Sequence, residues 1–270
     1  MPGPRHPLLA RILDLGPVRH AASARQLSAV VRERARFAAD ELLRRPGVRR
    51  YHLRRGGRPV LLRHGTVDIW TFDEIFVRRL YEPPAAVARL LARTPSPLVL
   101  DLGANIGLFA LDVLSRVPAA RIAGWEPDPE NAAMLRRVVA ANDDAEWHVA
   151  EACAGTADGT VSFQAGEESA SHVVERGAPG SITVPVVDVL ERFAEAALVK
   201  IDIEGGEWAL LADPRFAAAP AVVIEYHALG CPGGDPAATA RELLRGHGYT
   251  VVPVHDEPDG HGMLWATREP

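Results

Sequence analysis

Charged residues at the ends of apolar runs are the first places in this chain where chemistry could reside. Leu98-Val-Leu-Asp101-Leu-Gly103-Ala-Asn105-Ile-Gly107 couples a run of strand type to a glycine turn and an apolar helix. Gly103 removes the Cβ that would keep a ligand off the backbone, and the helix start behind it offers free N–H groups. Nineteen residues past Gly107, the run Arg121–Trp125 closes on Glu126. A carboxylate at the end of a second strand can accept both hydroxyls of a ribose. A dinucleotide pyrophosphate asks for G-x-G-x-x-G on the helix N-terminus. Here the glycines are four apart with Asn105 between them, and Asp101 would repel a phosphate. The pair suits a nucleoside that carries a positive amino group.

A second group of chemistry-bearing residues follows. Lys200, Asp202 and Glu204 alternate along Leu198–Ile203, so strand periodicity gives them one phase. Charges on a central strand are costly to bury unless paired or functional, and Lys200 reads as the structural partner of a carboxylate. Asp202 and Glu204 fall at the strand's carboxyl end, where they can position a ligand. Glu225 and His227 end the run Ala221–Tyr226 in one phase, and a histidine beside a carboxylate is a candidate general base, with Asp202 and Glu204 as the alternatives, so that His227, Asp202, Glu204 and Glu225 form the candidate catalytic set. Glu207 opens the next helix, where it complements the dipole or serves the site. The oxygen-rich set Asp202, Glu204, Glu225 and His227 is of a kind that suits magnesium. Its spacing does not establish an ion, and no metal is predicted. His255 and His261 read as solvated, and Cys153 has no visible base partner that would make it a nucleophile.

The elements that must hold these residues alternate. Apolar runs at Leu98–Leu102, Arg121–Trp125, Leu198–Ile203 and Ala221–Tyr226 are separated by helical stretches at Leu108–Ser115, Pro129–Ala141, Asp188–Ala196 and Pro236–His247. That pattern is a parallel sheet buried on both faces. Between Gly155 and Pro185 the helical pattern lapses, which leaves either a strand insertion pairing Val161–Phe163 with Ile182–Val186 or a loop near the site. Thr250–Val254 and Met263–Ala266 form a closing hairpin. Upstream, Leu8–Leu43 carries one or two helices ended by Arg45-Pro46-Gly47. Val48–Leu53, Pro59–Leu62 and Val67–Trp70 form a small antiparallel unit, and Pro84–Arg93 is helical. Thr94–Pro97 marks a boundary, giving an extension over 1–96 and an α/β domain over 97–270.

Composition narrows the class. The chain has 270 residues and a net charge of −5, so no basic field attracts nucleic acid or an anionic membrane. The arginine-rich N-terminal hundred residues read as a solvated face. Two cysteines are too few for a disulfide framework, no signal peptide is evident and no apolar run reaches membrane-spanning length, which points to the cytoplasm. A single lysine among many arginines and alanines suggests a high-GC bacterial coding sequence.

Asp101-Leu-Gly-Ala-Asn-Ile-Gly107 with Glu126-Pro-Asp-Pro-Glu-Asn131, and Leu198-Val-Lys-Ile-Asp-Ile-Glu-Gly-Gly-Glu207 with Ala221-Val-Val-Ile-Glu-Tyr-His227, resemble the FkbM methyltransferases. Val184-Pro-Val-Val-Asp-Val-Leu190 resembles the segment that leads into the fourth strand, with Val187-Asp188 where a Leu-Asp pair is commoner. The likeness spans about residues 97–267. It implies a class I methyltransferase fold, a Rossmann-like, mostly parallel seven-stranded sheet with helices on both faces. It also implies S-adenosylmethionine as cofactor and S-adenosylhomocysteine as product. By resemblance Asp101, Gly103, Asn105 and Gly107 hold the methionine portion and Glu126 the ribose. Glu151 to Cys153 flank the adenine, and Asp202 contributes to the cofactor side. The implied reaction is O-methylation of a small-molecule hydroxyl on a sugar, polyketide or other natural product. The alternatives are a nicotinamide-dependent oxidoreductase and a non-catalytic cofactor-binding module. The extension is a candidate lid or homodimer contact.

Overall fold

The computed structural model describes residues 17–166, 172–174 and 177–268. The N-terminal part holds helices α1 (Pro17–Ser28) and α2 (Arg34–Leu42) and the antiparallel pair β1 (Val48–His52) and β2 (Pro59–Arg63). A short helix α3 (Asp68–Phe72) follows, running into a π-helical turn (Asp73–Val77), and then α4 (Ala85–Arg93). The expected helical stretch from Leu8 lies partly outside the described residues.

Val67–Trp70, expected as a strand, is helical instead. Its β-branched and aromatic content favours a strand, but the Asp68 carboxylate overrides it. That side chain is buried and accepts from the backbone N–H of Arg63 at 2.9 Å and from the Arg63 Nη2 at 2.7 Å. Turning the chain back onto β2 satisfies this buried carboxylate.

The catalytic-type half is a seven-stranded sheet in the order β5-β4-β3-β10-β11-β13-β12. Its strands are β3 (Leu98–Leu102), β4 (Arg121–Trp125), β5 (Trp147–Ala150), β10 (Leu198–Ile201), β11 (Ala221–Tyr226), β12 (Thr250–Asp256) and β13 (Gly262–Thr267). All neighbours from β5 to β11 pair in parallel, whereas β13 is antiparallel to both β11 and β12. This is the mostly parallel seven-stranded sheet that the resemblance implied. Helices α5 (Leu108–Arg116), α6 (Pro129–Ala141), α7 (Glu207–Ala212) and α8 (Pro236–Gly246) supply the crossovers. The expected helix over Asp188–Ala196 is a 3-10 segment, Leu190–Glu195.

Strand periodicity splits the core in two. Val99, Ile122 and Val223 join one apolar cluster, and Leu100, Ala123 and Val222 join the other. The first cluster also contains Leu27, Phe37, Tyr51 and Leu62, so residues before Pro97 share a core with the sheet. Arg63 strengthens that seam by donating to Asn131 on α6 at 2.9 Å.

A smaller sheet, in the order β6-β9-β7-β8, interrupts the alternation. It comprises β6 (Cys153–Gly155), β7 (Gly159–Gln164), β8 (His172–Val174) and β9 (Ile182–Asp188). Val161 pairs with Val184 and Phe163 with Ile182, the antiparallel insertion read from the sequence.

Chain order reverses at β3, whose neighbours are β4 on one side and β10 on the other. Crevices of doubly wound sheets form at the carboxyl ends of such strands. Both turns leaving this point are left-handed. Gly103 has φ +79°, and a Cβ there would overlap the carbonyl oxygen of Asp202. Gly107 has φ +85°, and a Cβ would come within 2.7 Å of Leu135 and 2.8 Å of Trp147. The glycines therefore let backbone and core approach each other, and ligand access is the lesser reason for them. Gly107→Ala should cost about 2–4 kcal/mol, the sum of left-handed strain and overpacking. Urea unfolding measures it, and a loss below about 1 kcal/mol would show that the turn relaxes freely.

Candidate functional site

The reversal point opens into one cavity of about 880 Å³, within the range of about 300–1,000 Å³ usual for small-molecule sites. Its floor is built from the loops after β3, β4, β10 and β11. Asn105 (φ +49°), Glu126, Asp202, Glu204, Glu225, His227 and Cys153 all line it.

Two of the expected cofactor residues do not. Asp101 is fully buried beneath the floor, and Gly107 faces Leu135 and Trp147. Both are corrected to supporting roles. Glu151 is also displaced, ion-paired with Arg136 at the surface, and Ala152 sits in the core. Of that trio only Cys153 reaches the cavity, and burial pushes its thiol up to about 12, which keeps it unreactive.

Lys200 ties the floor together. Its Nζ donates to the carbonyl oxygen of Gly103 at 2.6 Å and lies 3.3 Å from Asp202 and 3.5 Å from Asp101. It is a structural partner of carboxylates, as its type suggested. Burial works against its charge, but Asp202 and Asp101 more than offset this and raise its pKa.

Some polar atoms here are under-satisfied. Oδ1 of Asn105 is buried without a hydrogen bond, and the buried Asp101 carboxylate has the Lys200 ammonium at 3.5 Å as its ion partner. Buried polar groups are normally satisfied. Orphans beside a cavity leave hydrogen-bonding capacity for a ligand. Glu126 is differently placed: Oε2 accepts from the Asn105 N–H at 2.7 Å and Oε1 from the Asp128 N–H at 2.9 Å. Each oxygen keeps a further lone pair. The cap of α6 is Asp128, which accepts from the N–H groups of Glu130 and Asn131. That frees Glu126 from the capping role. Burial, opposed by these two backbone bonds, raises Glu126 to about 7.

The acids after β10 and β11 are arranged by backbone as much as by strand phase. The strand ends at Ile201, and Glu204 has φ +51°, so the alternation expected through Glu204 stops short. Asp202, Glu204 and His227 nevertheless converge, with one ligand-type atom of each within 4.8 Å of the others. Glu207 is the organiser. Fully buried, it accepts from the N–H of His227 at 2.7 Å and of Gly205 at 2.8 Å, and holds the His227 Nδ1 at 3.1 Å.

His227 Nε2 then lies 3.5 Å from Glu204. Burial disfavours the imidazolium, but Glu207 and Glu204 outweigh it and raise His227 to about 10. The two carboxylates thus favour the imidazolium form of the ring. Burial, with Asp202 adding to it, raises Glu204 to about 7 against the opposing charge of His227. Glu225 rises to about 8 through burial and Asp202, and accepts from the Tyr81 hydroxyl at 3.2 Å.

Sequence reasoning missed one wall. Trp70, Glu74, Arg78 and Tyr81 line the cavity from the N-terminal part. Trp70 Nε1 donates to Glu74 at 2.7 Å, and burial raises that carboxyl to about 7. The signal was present as a spacing of four through Trp70, Glu74 and Arg78, hidden by reading Val67–Trp70 as a strand. His255 and His261, expected to be solvated, also belong to the cavity's lining at its β12–β13 side.

Comparison with known proteins agrees with this geometry. The model of the methyltransferase FkbM domain matches residues 101–251. Over 73 residues the chain is 41% identical to the AMB antimetabolite synthetase AmbE of Pseudomonas aeruginosa, covering 27% of this chain and 3% of that protein. Over 73 residues it is 38% identical to the methyltransferase sdnD of Sordaria araneosa, covering 27% of this chain and 25% of that one. The matched segments thus span a quarter or less of these curated relatives. Among solved structures, precorrin-6y C5,15-methyltransferase from Geobacter metallireducens is 16% identical, with a TM-score of 0.41, over 72% of this chain and 89% of that one. With more than half of the sequence matched by the family model, the chain belongs to the FkbM methyltransferase family.

Proposed function

We propose that this methyltransferase uses S-adenosylmethionine to methylate a hydroxyl oxygen of a small molecule. The observation that carries the reading is the unsatisfied acceptor of Asn105 beside a partly satisfied Glu126, at the start of a cavity that continues into an acid cluster. The residues fit the cofactor. Asn105 and the loop after β3 face its amino acid portion over a floor made acidic by Asp101. Glu126 offers its spare lone pairs to the ribose hydroxyls, while Cys153, Trp125 and Phe163 supply apolar lining for the base. When bound, the cofactor supplies an electrophilic methyl group and its own leaving group.

The chain's own part is positioning and proton removal. The acceptor lies against the wall of Trp70, Glu74 and Tyr81 and meets the acid cluster opposite. Glu204, with a pKa of about 7, is matched to a base working at neutral pH. His227, fixed by Glu207, orients it through the Nε2 contact at 3.5 Å. Glu225, protonated at neutral pH, can donate to a second acceptor oxygen. A carboxylate acceptor would need no base, so the Glu204 arrangement favours an alcohol. A dinucleotide is disfavoured because its pyrophosphate would face Asp101, Asp202 and Glu204. The relation to an antimetabolite synthetase supports a natural-product acceptor.

Two outcomes test this. Calorimetry should show S-adenosylhomocysteine binding to the folded chain. Glu126→Ala should weaken it by about 1.5–3 kcal/mol, the scale of a hydrogen bond to a charged group, which is roughly 10- to 150-fold. No heat of binding with a folded sample rejects the cofactor. With an acceptor in hand, kcat/KM should fall tenfold per pH unit below about 7 as Glu204 takes up a proton, because only its carboxylate accepts one. Glu204→Gln should lower the rate by about 10²–10⁴ and remove that acid limb. A limb that persists in the variant moves the base elsewhere.

A further inference from the structure

The hairpin that closes the sheet carries a group of residues that the methyltransferase reading leaves unused. Between β12 and β13 the register shifts at Pro253 and His255, so that His255 pairs with Met263. The turn beyond is closed by the Glu257 N–H donating to His261 at 2.8 Å and the Gly260 N–H donating to Glu257 at 3.1 Å. These features bring His255, Glu257 and His261 together, with one ligand-type atom of each within 4.8 Å of the other two. All three line the cavity.

We propose that His255, Glu257 and His261 form a Zn²⁺ site at the mouth of the cavity. Two imidazoles and one carboxylate are a known donor set for this ion, and they leave a fourth position open. Two independent features point to a ligand. The Nδ1 atom of His255 is buried and has no hydrogen-bond partner, an unsatisfied donor or acceptor at the centre of the group. His261 is oriented from behind: its Nδ1 donates to Asp259 Oδ1 at 2.5 Å. This carboxylate–histidine arrangement fixes the tautomer that leaves Nε2 free to coordinate.

Bond lengths of about 2.0–2.2 Å put ligand atoms about 3.5 Å apart, so binding would draw the three side chains together around the ion. Arg78, on the opposite wall, is the nearby positive charge, and it is paired with Glu74 at 3.9 Å. Three protein ligands leave a fourth position for water or for an oxygen or carboxylate of the acceptor, which the ion would then anchor. The site depends on the hairpin alone and not on the identity of the reaction.

The test is Co²⁺ titration of the full chain after chelator treatment, followed by visible absorption and Zn²⁺ competition. One Co²⁺ should bind per chain with the intense bands of a low-coordinate ion and be displaced by Zn²⁺. His255→Ala and His261→Ala should abolish the bands. Asp259→Ala should weaken binding about 10- to 100-fold, and Glu204→Gln should leave it unchanged. Circular dichroism confirms that each variant is folded. No band in the folded wild-type chain overturns the site. So does binding that survives both histidine variants, or binding lost in Glu204→Gln, which would place the ion on Asp202, Glu204 and His227.

Discussion

A single buried ammonium governs this molecule. Lys200 lies between Asp101 and Asp202 and donates to the carbonyl of Gly103, joining the carboxyl ends of the two strands that flank the chain reversal. Uncompensated, either acid would be expensive to bury. The cations at the cavity do not outweigh burial, which holds Glu126, Glu204, Glu225 and Glu74 above the ordinary carboxylate range. The cavity is thus acidic and partly protonated. A site so constructed receives a positively charged ligand at low cost, and for the proposed sulfonium cofactor its electrostatics are prepared before the ligand arrives.

The cavity depends on elements far apart in the chain. Tyr81 reaches Glu225 across 144 positions, and Trp70 sets Glu74 into the wall facing the acid cluster. The π-helical turn Asp73–Val77 carries two of these lining residues, in keeping with the occurrence of such turns at functional sites. The N-terminal part supplies one wall of the cavity, and the loops after the sheet strands supply its floor.

Glu207 shows how a residue outside the cavity directs those inside. It takes two backbone N–H groups and the His227 ring, fixing the turn after β10 against the end of β11. A helix-opening glutamate looks like dipole compensation in sequence. Its burial and its partners make it a positioning residue for the His227 ring.

The sequence by itself determined the alternation of apolar runs and amphipathic helices, and with it a parallel sheet closed by an antiparallel hairpin. It also determined that Asp101, Asn105, Glu126, Asp202 and Glu225 sit at strand ends. Those properties follow from periodicity and from the few ways a polar group can sit beside a buried strand. Tertiary structure decided what local pattern does not encode. Gly103 and Gly107 are required by Asp202 and by Leu135 and Trp147, which lie elsewhere in the chain. The buried Asp68 carboxylate turned an apparent strand into a helix because its partner, Arg63, sat on β2. His255 and His261 meet because the hairpin register shifts, and register is a property of two strands together. The protonation of His227 likewise depends on which carboxylates surround it, and only the folded chain brings Glu204 and Glu207 to the ring.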